Sequence, residues 1–207
     1  MLYAFIWAIV WPHMMHPKEE KTFVLIKPDG VRKGLIGEIL NRFERRDLKV
    51  TALEMFQPSK SEMDSHYPKD EKWLARIGER TSANYLKYGH DPKRDFGTTD
   101  GVKIGKEVRR WLIDFMVSAP LVKMVVQGPH AVDMVRKIVG PTMPHLAEMG
   151  TIRGDYSADS AISANIDRRA VYNLIHASET AEEAKHEIAH WFKKNSIYKY
   201  KRFGIDE

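Results

Sequence analysis

The sequence predicts a sandwich of helices on one sheet, of the α+β or α/β class, and three observations carry that expectation. Strand-like and helix-like segments alternate along most of the 207 residues. The helices are spread between four apolar strands rather than gathered at one end. A chain that is 43% hydrophobic and 29% charged has ordinary globular composition, and at this length it can bury a sizeable core. The pattern alone leaves the strand order open.

From Thr22 the run TFVLI reads as a strand that ends in the turn signal Lys27-Pro28-Asp29-Gly30. Ile36, Ile39, Leu40 and Phe43 recur at the spacing of an amphipathic helix, and Lys49 to Phe56 reads as a second strand. Ser59 with Glu62 resembles a capping box opening a short helix that ends near His66-Tyr67. Pro68 to Val108 has no sustained periodicity after Tyr88 and reads as a surface insertion with one helix near Trp73 to Leu86. A helix over Val108 to Val117, a strand over Leu121 to Val126 and a helix marked by Val132, Val135 and Val139 and closed by Gly140 follow. Pro141 to Asp167 reads as loop and Val171 to Ile175 as a short strand. Thr180-x-x-Glu183 then caps a helix with Ala184, Ile188 and Trp191 on one face. The reading divides the chain into an extension, 1–20, and a domain, 21–207, with an insertion around 69–107.

Without cysteine, thiolate nucleophiles, disulfides and cysteine-ligated metal sites are excluded, and a reducing cytoplasm is the default compartment. A mean hydropathy of -0.44 and the lack of any eighteen-residue apolar run exclude a bundle of membrane helices. The apolar stretch Leu2 to Trp11 stops at Pro12, too short to span a bilayer, and lacks a basic flank and a cleavage site. It reads as an upstream-start extension with the true start at Met14 or Met15, as a segment docking on the fold, or as an export or membrane-surface element. The net charge of +5 points to an anionic partner and is local: Pro68 to Arg110 holds 11 Lys and Arg against 7 Asp and Glu. That segment reads as a salt-bridged surface excursion or, alternatively, as the nucleic-acid contact of a binding module.

His186-Glu187-Ile188-Ala189-His190 matches the H-E-x-x-H pattern of zinc hydrolases. The third ligand is missing, because Lys193 and Ser196 occupy the positions of the family's continuation, and only Asp206 and Glu207 remain near the terminus. On a helical wheel both histidines face away from Ala184, Ile188 and Trp191, so the expectation is two exposed polar side chains.

A dispersed set is more specific: Lys27-Pro28-Asp29-Gly30, His66-Tyr67, Arg136, Thr142, Thr151-Ile152-Arg153-Gly154-Asp155, Asn173-Leu174-Ile175-His176-Ala177-Ser178-Glu179 and Glu187. In this order the residues resemble the nucleoside diphosphate kinase family over most of Lys21 to Phe192. The resemblance implies an α+β, ferredoxin-like βαββαβ fold with an antiparallel four-stranded sheet. It also implies a homo-oligomer, hexamer or tetramer, and γ-phosphate exchange between nucleoside tri- and diphosphates through a phosphohistidine.

An imidazole is largely unprotonated near neutral pH, so a positioned histidine can attack phosphorus without prior deprotonation. His176 is the expected nucleophile, and Glu187, on the border of the apolar helix face, can hold its proton-bearing ring nitrogen. By the same resemblance Tyr67, Thr142, Arg136 and Arg153 hold the phosphates with His66 nearby, Lys27 and Asn173 reach the sugar, and Ser178 sits beside His176. With neither GxxxxGK[ST] nor G-x-G-x-x-G present, phosphate binding rests on side chains. Mg²⁺ is expected to arrive on the nucleotide, with Glu179 as an outer partner.

Two departures stand out. The insertion falls where the family's base-stacking aromatic belongs; alignment from one side offers Val108 and from the other Trp73, and Trp73 is the expected stacking platform. Ala177 replaces the usual glycine after the nucleophile, which strains the backbone only where φ is positive.

Overall fold

The computed structural model describes residues 19–203. The Leu2 to Trp11 run, the alternative starts Met14 and Met15, and Asp206 and Glu207 lie outside them.

Strand β1, Lys21–Ile26, is buried from Thr22 onward because it lies inside a four-stranded sheet. Its alternation sends Phe23 and Leu25 into one apolar cluster and Val24 and Ile26 into another, so both faces of the sheet are covered. Helix α1, Pro28–Arg32, corrects the expected turn: Pro28 stands at its first position, where a missing N–H costs nothing and the fixed φ suits the helix. Helix α2, Ile36–Glu44, buries Ile39 and Phe43, and strand β2, Lys49–Phe56, has the expected bounds. Helix α3, Lys60–His66, opens on a complete Ser59/Glu62 capping box.

The helix expected near Trp73 to Leu86 is α4, Glu71–Lys87; an unexpected short helix, α5, Pro92–Phe96, follows; and the helix expected over Val108 to Val117 is α6, Gly101–Met116, which begins inside the insertion. Helix α6 starts seven residues before Val108 because Asp100 caps it, accepting from the amides of Val102 and Lys103. Helices α4 and α6 cross at glycines. A Cβ on Gly78 would sit 1.9 Å from the Gly101 carbonyl oxygen, and one on Gly105 would sit 2.0 Å from that of Leu74.

Strand β3, Leu121–Gln127, and helix α7, Ala131–Val139, follow, with Gly140 at φ +85° closing the helix. The expected loop from Pro141 carries a 3-10 turn at Pro144–Leu146 and the short helices α8, Ile152–Tyr156, and α9, Ala161–Ile166. Thr151 and Ser160 cap them, a signal overlooked because neither helix is long enough to show a period.

Strand β4 is Ile175–Ala177, not Val171 to Ile175. Leu174 takes φ +69°, and the backbone before it bonds to side chains instead of a neighbouring strand. Helix α10, Ala181–Trp191, is capped by Thr180. The sheet order is β2-β3-β1-β4, antiparallel at every pairing.

Helices α4 to α6 meet α9 and the segment after it. The Tyr85 hydroxyl of α4 donates to the Asn165 carbonyl at 2.7 Å, Arg168 donates to the Asp95 carbonyl at 2.7 Å, and the rings of Phe115 and Tyr172 lie 5.3 Å apart. No helix among the described residues is long and apolar enough to cross a membrane.

Candidate active site

His176 lies in β4 opposite Leu25 of β1. Its Nε2 is 2.8 Å from Glu187 Oε1, and Ser178 Oγ donates to Glu187 Oε2 at 2.7 Å. Burial works against charge on Glu187, but the bonds from His176 and Ser178 outweigh it and hold the carboxyl below the usual glutamate range. An ionised carboxylate only accepts, so Nε2 carries the proton and Nδ1 keeps its lone pair. Helix α10 makes this possible by turning Glu187 inward, to 7% exposure, while its neighbours His186 and His190 stay exposed.

Beside the His176 ring opens a cavity of about 540 Å³, walled by Lys27, Arg136, Thr142, Arg153 and Asn173 among others. Lys27 Nζ donates to Asn173 Oδ1 at 2.7 Å, and Asn173 Nδ2 donates to the Thr142 carbonyl at 3.0 Å. Burial, then the charge of Arg153, lowers the Lys27 ammonium to about 8. Arg153 itself is lowered to about 10 by burial and by Arg136. Its guanidinium binds the carbonyls of Asn173, Gly140 and Ile175 at 3.1, 2.7 and 2.6 Å, which ties β4 to the end of α7 and leaves two of its five N–H groups for a ligand. Arg136 is exposed and reaches Glu179 at 3.4 Å.

The sequence-predicted residues thus fall into three groups. Lys27, Arg136, Thr142, Arg153, Asn173, His176 and Glu179 share the cavity wall. Glu187 and Ser178 stand behind His176. His66, Tyr67 and Trp73 are not on that wall. The His66 ring packs 5.4 Å from Trp191, and burial above all lowers it to about 4, so it is neutral at pH 7. Tyr67 packs against the cluster of Phe23, Leu25 and Met63, and burial raises its hydroxyl. Trp73 and Val108 are half-buried on α4 and α6.

Sequence reasoning missed Lys137, Glu148 and Glu183 on the wall, gave no role to Thr151 of the quoted set, and missed the buried Asp29, whose Oδ2 accepts from the Leu174 amide at 2.9 Å. Asp29 stood inside the quoted Lys27-Pro28-Asp29-Gly30 but read only as a turn residue. Ala177 pairs with Val24 and is not among the residues with positive φ, so the methyl costs no strain. Among the described residues, His176, Glu183 and Glu187 are the histidine–carboxylate group whose ligand atoms lie within 4.8 Å of one another; the two histidines of the zinc pattern are not part of it.

The chain as a whole is similar to known proteins. The family model described as nucleoside diphosphate kinase matches residues 20–74 and 101–197. A nucleoside diphosphate kinase of Pyrobaculum aerophilum is 46% identical over 178 residues, 86% of this chain and 97% of that protein. One from Pyrococcus furiosus is 37% identical over 181 residues, 87% of this chain and 88% of that protein. The crystal structure of an NDP kinase from Pyrobaculum aerophilum superposes with a TM-score of 0.83 at 44% identity, covering 87% of this chain and all of that one. A Borrelia burgdorferi nucleoside-diphosphate kinase, described as a transition state mimic with bound vanadate and ADP, gives 0.69 at 34% identity, with 91% and 95% covered. By sheet order, residue pattern and relatives together, the chain belongs to the nucleoside diphosphate kinase family.

Proposed function

We propose that His176 is the group that carries the phosphate in this phosphotransferase, and that its Nδ1 is the attacking atom. The bond between His176 Nε2 and Glu187 carries the reading: it fixes the tautomer that leaves the Nδ1 lone pair beside the cationic cavity. Nδ1 forms a bond to the γ-phosphorus while the bond from phosphorus to the β,γ-bridging oxygen breaks, its electrons leaving on the nucleoside diphosphate. Positive charge gathers on the imidazole, and Glu187 offsets it. A second diphosphate then takes the phosphoryl group on its terminal oxygen by the reverse step.

Lys27, Arg136 and Arg153 balance the charge on the phosphate oxygens in flight, and Lys27 with Asn173 reaches the sugar hydroxyls. Mg²⁺ is the cofactor in this reading. The hard carboxylates of Glu148 and Glu179 on the cavity wall suit an ion that keeps its waters and is held mainly by phosphates. When bound, the ion neutralises phosphate charge.

We take residues 21–207 as one domain with an insertion around 69–107; the break in the family match at 75–100 falls inside it and supports that division. We also propose a homo-oligomer, hexamer or tetramer. Strand β2 has a partner on one side only, and Leu53 and Met55 on it are 51% and 54% exposed, which suits contact with a second copy.

Incubation with γ-labelled ATP and Mg²⁺, quenched without acid, tests the relay. Acid-labile label that vanishes in His176→Ala and leaves on adding a diphosphate is expected. Label that persists in a folded His176→Ala protein would overturn it.

A further inference from the structure

We propose a second site, for a polyphosphate-bearing small molecule such as a nucleoside triphosphate, in the hollow between α2 and α7. This hollow is open to solvent on one side and offers about 680 Å³, against 540 Å³ in the catalytic cavity; both lie within the range of small-molecule sites. Its wall carries four cations: Arg42, Arg45, Arg46 and Lys137. Arg42 is spent internally, bound to Glu38 at 2.9 Å and Asp155 at 2.6 Å. Glu38 is the one acid on the wall and is neutralised by that contact.

The exposed side chains of Arg45, Arg46 and Lys137 have no hydrogen bond or ion pair among the described residues. Three uncompensated charges therefore face one hollow. The catalytic wall, by contrast, sets Lys27, Arg136, Lys137 and Arg153 against Glu148, Glu179 and Glu183. The second hollow is thus the more positive of the two, and a ligand with three or four negative charges neutralises it. Met134 and Ile138 supply an apolar strip on which a flat base can rest, with methionine sulfur suited to an aromatic face. Lys137 lines both cavities, so the two ligands share one ammonium group.

Equilibrium dialysis of the full chain against ATP and, separately, tripolyphosphate at physiological salt tests the proposal. Two ATP per chain are expected in the wild type, with the second lost or weakened about tenfold or more in R45E/R46E. Tripolyphosphate filling the second site as tightly as ATP means that phosphates alone are read, and weaker binding means that the base contributes. One ATP per chain in the wild type, or two held equally by R45E/R46E, would overturn it. The labelling rate of His176 in the variant reports the first site separately, and thermal unfolding confirms its fold. If the double variant fails to fold, Arg45→Gln serves, with a smaller expected loss.

Discussion

Lys27 and Asn173, 146 positions apart, meet at 2.7 Å from Nζ to Oδ1 and join β1 to the segment that carries the nucleophile. The contact places an ammonium group in a buried setting beside Arg153, which is why it holds its proton only up to about pH 8. Nucleotide affinity of the free chain is therefore expected to weaken as pH rises through about 8, and Lys27→Met to remove that break. The sign for stability is opposite. Folding lowers this pKa from 10.5, so between about 8 and 10.5 the unfolded chain binds more protons and this group makes stability rise with pH. Titration of ATP binding and thermal unfolding across that range checks both; a flat affinity profile would refute the first.

Glu187→Gln is expected to slow phosphoenzyme formation by about 10²-fold or more, because an amide can donate to Nε2 and so select the tautomer without an Nδ1 lone pair. Single-turnover labelling measures it. A loss under threefold would separate Glu187 from the chemistry.

Arg153→Met leaves three carbonyls, those of Asn173, Gly140 and Ile175, without their donor in a buried place. A loss of about 2–4 kcal/mol of stability is expected. Arg153→Lys, with one head group for three acceptors, should fall between the two in denaturant melts.

Gly78→Ala should destabilise by roughly 1–3 kcal/mol, since the new methyl meets backbone rather than a side chain that can move. Gly37→Ala in α2 is the contrast: nothing lies within 4 Å of its Cβ, and a gain of up to about 1 kcal/mol is expected. Unfolding midpoints of both variants decide the matter.

Long periodic elements were legible in the sequence. Lys49–Phe56 and the α7 stripe ending at Gly140 stand where the alternation and the apolar spacing put them. Short elements held by caps were not: Thr151 and Ser160 each open a helix of five or six residues, too brief for a period to emerge. Strand β4 was displaced because Arg153 and Asp29 bind the backbone before it, a long-range effect that no local window contains. In the site, Lys27, Arg136, Thr142, Arg153, Asn173 and His176 share one wall, while His66 and Tyr67 lie off it. Lys137 and Glu183, each inside an ordinary helical pattern, reach the cavity only through the placing of α7 and α10. Trp73, the expected stacking aromatic, is half-buried on α4 and lies off the wall, and α4 packs on α6.

The glycine crossing of α4 and α6 has a mechanical meaning. With backbone against backbone at Gly78 and Gly105, the two main chains approach as closely as bare peptide allows, and any side chain placed there would push the axes apart. The outer contacts of this helix pair, Tyr85 on Asn165 and Phe115 on Tyr172, brace the chain just ahead of Asn173. The helices of the insertion thus shore up the approach to the nucleophile, since their contacts fall on residues that lead directly into Asn173.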